Sequence, residues 1–272
     1  MRLFTIVLER KYSHHQMNKR SFQKMVSCGM PKIPGDANNE LDHPITMEEL
    51  REAVNKGKRH KSPGPDGICH EFFKQMWDVI KNIMLDIIKN MYMEGAVSDA
   101  HKHGHIVCLL KTVAPVSPEN YRPLTMLNID YKLLTRIVAN RLRPWMEDIL
   151  HRNQYCGRNG QTIFDAVATV RDIIAYAEET NKPICLLSID FKEAFDKMSH
   201  SFLFKILREY GIGDNFCSRL QKIYADATCP IHTNTKWPQV ETGQYTEWSA
   251  TKIPPQYVTI RLMHKSSVNK PR

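Results

Sequence analysis

The amino-acid sequence predicts an α+β protein in which helices outnumber strands. Apolar residues recur at three- and four-residue steps along several segments, which is the mark of helices with one buried stripe. Two short runs, around 104–111 and 184–189, are instead nearly continuous in apolar residues and suit strands. The 272 residues, 42% apolar and 25% charged, suffice for one large or two small domains with real cores. That composition excludes a disordered chain.

Residues 1–45 are polar, basic and weakly periodic, interrupted by Pro31, Pro34 and Gly35, and read as a flexible leader. Thr46 followed by Glu49 forms a capping box and predicts a helix over about 47–57. It runs into Lys56-Gly57-Lys58-Arg59-His60-Lys61, where the basic residues form either a solvated surface or a phosphate contact. Ser62-Pro63-Gly64-Pro65-Asp66-Gly67 is a rigid turn, since proline fixes φ and glycine allows close backbone approach. Phe72, Phe73, Met76, Trp77, Ile80, Ile83, Met84, Ile87 and Ile88 predict a long helix over about 69–93 whose stripe is core, ended by Gly95.

The strand at 104–111 presents Lys111 at its end. His101, His103, His105 and Cys108 lie close in sequence, but zinc sites are usually assembled from separated ligand pairs, so they read as surface histidines. Tyr131, Leu134, Ile137, Val138, Leu142 and Trp145 mark another helix, kinked or restarted by Pro144, and 162–179 carries a further one. Ile184-Cys185-Leu186-Leu187-Ser188-Ile189 suits a strand covered on both faces, with Asp190 at its carboxyl end. There Asp190 either caps the next helix or holds a divalent cation. Phe202, Leu203, Ile206 and Leu207 give a short helix ended by Gly211, and Asp214 can cap the last one, with Phe216, Leu220, Ile223 and Tyr224.

The formal net charge of +9 favours a polyanionic partner, nucleic acid first among them. Seven cysteines are scattered singly with no Cys-x-x-Cys pair, which points to a reducing compartment: an intracellular protein, nuclear or cytoplasmic, not secreted. The apolar run from Met1 to Leu8 is too short for a signal peptide or membrane span, and no membrane partner is expected.

Leu187-Ser188-Ile189-Asp190-Phe191-Lys192-Glu193-Ala194-Phe195-Asp196 resembles the first palm motif of reverse transcriptases of non-LTR (LINE-type) retrotransposons. Upstream segments are similar to that family in the right order. Lys61 to Ile68 resembles its leading motif, His105 to Lys111 its first fingers strand, and Asn120 to Asn128 its second fingers motif. The resemblance covers roughly 46–243, and an ordered series of motifs is far more specific than one. It implies part of a right-hand polymerase: a fingers-like region over 46–180, a partial palm over 181–243 and an unrelated basic tail over 244–272. The implied activity is RNA-directed DNA polymerase, with RNA template, DNA primer and deoxynucleotides as partners and Mg²⁺, or Mn²⁺ in its place, as cofactor.

By the same resemblance, Asp190 is a catalytic metal ligand and Lys111 and Arg122 hold the incoming nucleotide's phosphates. Phe195 occupies the place of the aromatic gate that favours deoxynucleotides. Lys58, Arg59, Lys61 and Arg158 are nucleic-acid contacts. Near Arg158 the chain departs from the family, with Gly157 where an aromatic residue is expected. A larger departure is that the sequence contains no Asp-Asp pair, although the family carries its remaining metal ligands in a Tyr-x-Asp-Asp hairpin. Tyr224-Ala225-Asp226-Ala227 imitates the hairpin but comes too soon and on a predicted helix. The likeness stops at Gln244, and no Asp follows Asp226. The expectation is therefore a reverse transcriptase domain truncated within the palm and inactive alone, or else a non-catalytic RNA-binding protein derived from a retroelement. The oligomeric state is not given by the sequence.

Overall fold

The computed structural model describes residues 19–27, 29–111, 120–151, 153–155, 158, 160–190, 198–225 and 231–232. The first described elements are α1 (Lys19–Ser27) and α2 (Ala37–Asp42), so part of the expected flexible leader is ordered. Ile33, Ala37, Leu41 and Ile45 are buried, and Pro34 and Gly35 mark the turn into α2. The Ile33 amide donates to the Tyr210 carbonyl at 2.8 Å, and Asn38 bonds the Gly211 carbonyl and the Gly213 amide at 3.0 and 2.7 Å. Polar composition concealed these four apolar anchors.

Next comes α3 (Met47–Asn55), opened by the expected capping box: the Glu49 amide donates to Thr46 Oγ1 at 3.3 Å, and the Thr46 amide to Glu49 Oε2 at 2.8 Å. The helix expected over 69–93 is two helices, α4 (His70–Gln75) and α5 (Trp77–Met93), broken at Met76. Its apolar residues also divide. Phe73, Met84, Ile88, Met91 and Tyr92 are buried, whereas Phe72, Met76, Ile83 and Ile87 are exposed, so the stripe is only partly core. Gly95 ends α5 with φ +66, a left-handed conformation that glycine adopts without strain.

The short α6 (Asp99–Lys102) leads into β1 (His105–Leu110), which pairs antiparallel with β2 (Tyr121–Met126). A two-residue β3 (Ile231–His232) lies parallel to β1, giving the order β2-β1-β3. The long α7 (Ile129–Ile149) runs on through Pro144. It is the centre of the fold: Leu133, Leu134, Ile137, Val138 and Leu142 are at most 1% exposed, and α2, α3 and α5 pack against it. Burial of such side chains stabilises by about 1.5–3 kcal/mol each.

After α8 (Ile163–Glu179), residues 182–190 have no regular secondary structure. The covered strand expected over 184–189 is absent; Ile184, Leu186, Leu187 and Ile189 are exposed. A strand buried on both faces needs hydrogen-bonded neighbours as well as apolar residues, and no described strand pairs with this one. Then come α9 (His200–Glu209) and α10 (Asp214–Tyr224), which pack together. Gly211, φ +84, makes the turn between them. Asp214 is the first helical residue, after Gly213 as cap, and pairs with Arg208 at 2.7 Å. Tyr224 is the last residue of α10 and is buried against His200 and Phe204, as suits a helix end and not a catalytic hairpin.

Candidate nucleotide and nucleic-acid interface

Side chains alternate between the faces of a strand pair. Ile106 and its partner Thr125 point inward, at 2% and 7% exposed. The other parity, Leu109 opposite Arg122 and Val107 opposite Leu124, forms the outward face, on which Leu109, Leu124 and Arg122 are exposed. The Lys111 amide donates to the Asn120 carbonyl at 2.8 Å, which carries the register one step further and sets Lys111 on the same face as Arg122. As diagonal neighbours their backbones lie about 7–8 Å apart. Two cations stand on one face at the Lys111–Asn120 end of the hairpin, flanked by exposed leucine, and such a pair can grip a phosphate chain by fork and point charge.

The basic loop is fixed elsewhere. The carbonyls that end α3 are taken by cationic or ring donors from two helices. Arg136 of α7 reaches the Ala53 carbonyl, His70 Nε2 donates to Val54 at 2.6 Å, and Lys74 Nζ bonds Asn55 and Gly57 at 3.0 and 2.9 Å. Burial, with Arg136 and Lys74 adding to it, holds His70 below its usual protonation range against the pull of the Val54 carbonyl. Gly57 is required here, because a Cβ would stand 1.6 Å from the His70 ring. Lys58, Arg59 and Lys61 follow, all exposed.

The far end of the loop is held by Asn128. The Asp66 amide donates to its Oδ1 at 3.3 Å, its Nδ2 donates to the Ala100 carbonyl at 3.1 Å, and a Cβ on Gly64 would come within 2.3 Å of that same Oδ1. Nothing in the sequence singled out Asn128 for this. As the residue before a helix it reads as a cap, yet its side chain caps nothing in α7 and binds the leading turn instead. The turn that follows the basic run is thus held at Asn128, six residues of chain beyond Arg122.

The remaining candidates are dispersed. Arg158 Nη1 reaches the His151 carbonyl at 3.4 Å and joins neither basic group. Asp190 is exposed at the end of the unpaired 182–190 stretch. Among the described residues no three His, Cys, Asp or Glu side chains gather into a possible metal site. Among the described residues Asp190 supplies one carboxylate, and a catalytic cation pair needs more than one. Phe195 lies outside the described residues. His101 bonds Ser98 Oγ at 2.5 Å and Asp130 at 2.8 Å, which ties α6 to the start of α7. No helix among the described residues is long and apolar enough to cross a membrane.

The profile of the family described as "Reverse transcriptase (RNA-dependent DNA polymerase)" matches residues 101–252, a stretch that contains both hairpin cations and Asp190. The chain belongs to the reverse transcriptase family, in its non-LTR retrotransposon branch. It is 30% identical over 206 residues to the transposon TX1 uncharacterized 149 kDa protein of Xenopus laevis, covering 76% of this chain and 16% of that protein. It is 31% identical over 157 residues to the retrovirus-related Pol polyprotein from type-1 retrotransposable element R1 of Bradysia coprophila, covering 57% and 15%. With the probable RNA-directed DNA polymerase from transposon BS of Drosophila melanogaster it shares 31% over 164 residues, 59% and 18% of the two chains. The reverse transcriptase chain thus spans about a sixth of the length of these relatives. The profile match runs past Gly243, where the likeness was expected to stop, to Lys252. The family carries the right-hand polymerase fold, and the helix-rich body with its small sheet fits the expected α+β class.

Proposed function

We propose that this reverse transcriptase chain is the nucleotide- and template-holding part of an RNA-directed DNA polymerase, fingers-like over 46–180, and that it does not extend a primer by itself. The observation that carries the reading is the pair Lys111 and Arg122 on one exposed face of the β1–β2 hairpin, within the stretch that matches the family. There a deoxynucleoside triphosphate is held by charge-assisted hydrogen bonds. The loop of Lys58, Arg59 and Lys61 contacts the phosphates of an RNA template and DNA primer. Phe195 is proposed as the deoxynucleotide gate, Arg158 as a further backbone contact and Asp190 as a ligand for Mg²⁺. The absence of an Asp-Asp pair from these 272 residues supports the reading that the cation site is not completed within them.

Losing the remaining carboxylates removes several kcal/mol of transition-state stabilisation, about a factor of ten in rate for each 1.4 kcal/mol. Purified chain incubated with primed RNA, deoxynucleotides and Mg²⁺ or Mn²⁺ is expected to bind the nucleic acid and leave the primer unextended. Extension that disappears in Asp190→Ala would overturn the inactivity. Changing Lys58, Arg59 and Lys61 together to Ala is expected to weaken RNA binding and flatten its salt dependence, by up to about three counterions' worth of slope. An unchanged slope removes that loop from the interface.

A further inference from the structure

The short helix α4 holds the chain around the basic loop through three side chains. His70 and Lys74 take the carbonyls of Val54, Asn55 and Gly57, just before the loop's cations. Glu71 enters the loop itself: the His60 amide donates to Glu71 Oε1 at 2.5 Å, across 11 residues of chain. His60 has φ +56, a left-handed conformation that is uncommon away from glycine and persists where its surroundings hold it. It stands between Arg59 and Lys61, so the bond to Glu71 fixes the backbone at the point where the cations are carried. Charge alone does not account for Glu71, because a carboxylate at this point lowers the positive potential that a phosphate backbone would meet. Nor does it neutralise a cation: the ion pairs among the described residues include neither Glu71 nor Lys58, Arg59 or Lys61. What Glu71 supplies is an acceptor, and the His60 amide, more than any other group, holds its carboxyl below the ordinary 4.5.

We propose that Glu71 is a positioning residue for nucleic-acid binding: by accepting the His60 amide it holds the left-handed turn on which Lys58, Arg59 and Lys61 are presented to phosphates. This role rests on the proposed contact of the loop with RNA template and DNA primer. A loop fixed beforehand loses less freedom on binding than a loose one, and the affinity gain arises there.

Titration of fluorescently labelled primed RNA with the full chain at fixed salt, read by anisotropy, tests it. Glu71→Ala removes the acceptor and a negative charge together, and is expected to weaken binding about threefold, although loss of the charge alone would tighten it. Glu71→Gln loses the same charge but keeps an oxygen acceptor, and binds at least as tightly as the parent. His60→Val and His60→Asn both remove the imidazole, but only asparagine suits a left-handed backbone; valine is expected to weaken binding about threefold and asparagine to leave it at the parent level. Circular dichroism melting checks that each variant folds, and the two His60 variants carry the test if Glu71→Ala does not. Binding by Glu71→Ala as tight as the parent's or tighter overturns the proposal, as does Glu71→Gln as weak as Glu71→Ala, or equal binding by the two His60 variants. The triple change of Lys58, Arg59 and Lys61 to Ala belongs in the same titration. Binding weakened there but kept in Glu71→Ala overturns the role of Glu71 alone, whereas binding kept in the triple variant removes the loop from the interface and the role of Glu71 with it.

Discussion

In α7, Leu134, Ile137, Val138 and Leu142 fall at three- and four-residue steps and are at most 1% exposed. In α8, Ile163, Val167, Val170 and Ile174 keep the same spacing and are 37–74% exposed. Periodicity therefore specifies that a helix has a face to be covered, but not what covers it. In α7 the cover comes from α2, α3 and α5, and the helix is pinned by polar anchors as well: the Tyr131 hydroxyl donates to the Ile223 carbonyl at 3.0 Å, and Arg141 grips Glu49 with a two-pronged bond of 2.6 and 2.7 Å. In α8 only Ala177 is buried. The 182–190 stretch that follows is equally apolar and equally uncovered.

Shortening one side chain in each helix separates the two cases. Ile137→Ala in α7 is expected to cost about 2–5 kcal/mol, the lost burial plus the cavity it leaves. Val167→Ala in α8 should stay within about 0.5 kcal/mol. Denaturant unfolding measures both, and equal losses would show that α8 is as well covered as α7.

A smaller effect probes the polar anchor. Glu49→Gln removes the charge that Arg141 holds and is expected to cost about 1.5–3 kcal/mol. Burial raises the Glu49 carboxyl, but the Arg141 guanidinium and the Thr46 amide outweigh it and hold the group below its ordinary 4.5. The folded state thus binds this proton less readily than the unfolded chain does. The stability the pair supplies is fully present above the ordinary 4.5 and is lost as pH falls below it and through the lower value of the folded state. A stability profile of Glu49→Gln should lack this acid-side fall.

The smallest effect belongs to His70. Its depressed protonation means that stability is fully present above its ordinary 6.5 and declines as pH falls below it. Unfolding measured at pH 7.5 and 5.5 should show the decline in the parent and a reduced one in His70→Gln. An identical decline in both would place the titrating group elsewhere.

Much of this was legible in the sequence where the cause is local. The capping box at Thr46 and Glu49, the glycine stops at Gly95 and Gly211 and the amphipathic pattern of α7 each depend on residues a few positions apart. What was misread depends on distant partners. The leader's Leu41 is core because α7 and α10 pack against α2, Ile33 is held by the Tyr210 carbonyl, and Ile184 to Ile189 fail to form a strand because none of the described strands adjoins them. The candidate site divides in the same way. Strand alternation already places Lys111 and Arg122 on one face once the register is known, whereas the role of Asn128 arises from a contact 62 residues away in the chain.

If the hairpin cations form a triphosphate site separate from the basic loop, titration of the chain with a fluorescent deoxynucleoside triphosphate distinguishes the two. Arg122→Ala is expected to weaken binding about tenfold, a loss of 1.4 kcal/mol, while the triple change of Lys58, Arg59 and Lys61 to Ala leaves nucleotide binding unaltered and weakens only RNA binding. Parent-like nucleotide affinity in Arg122→Ala, or an equal loss in the triple variant, would show that the hairpin is not a separate triphosphate site.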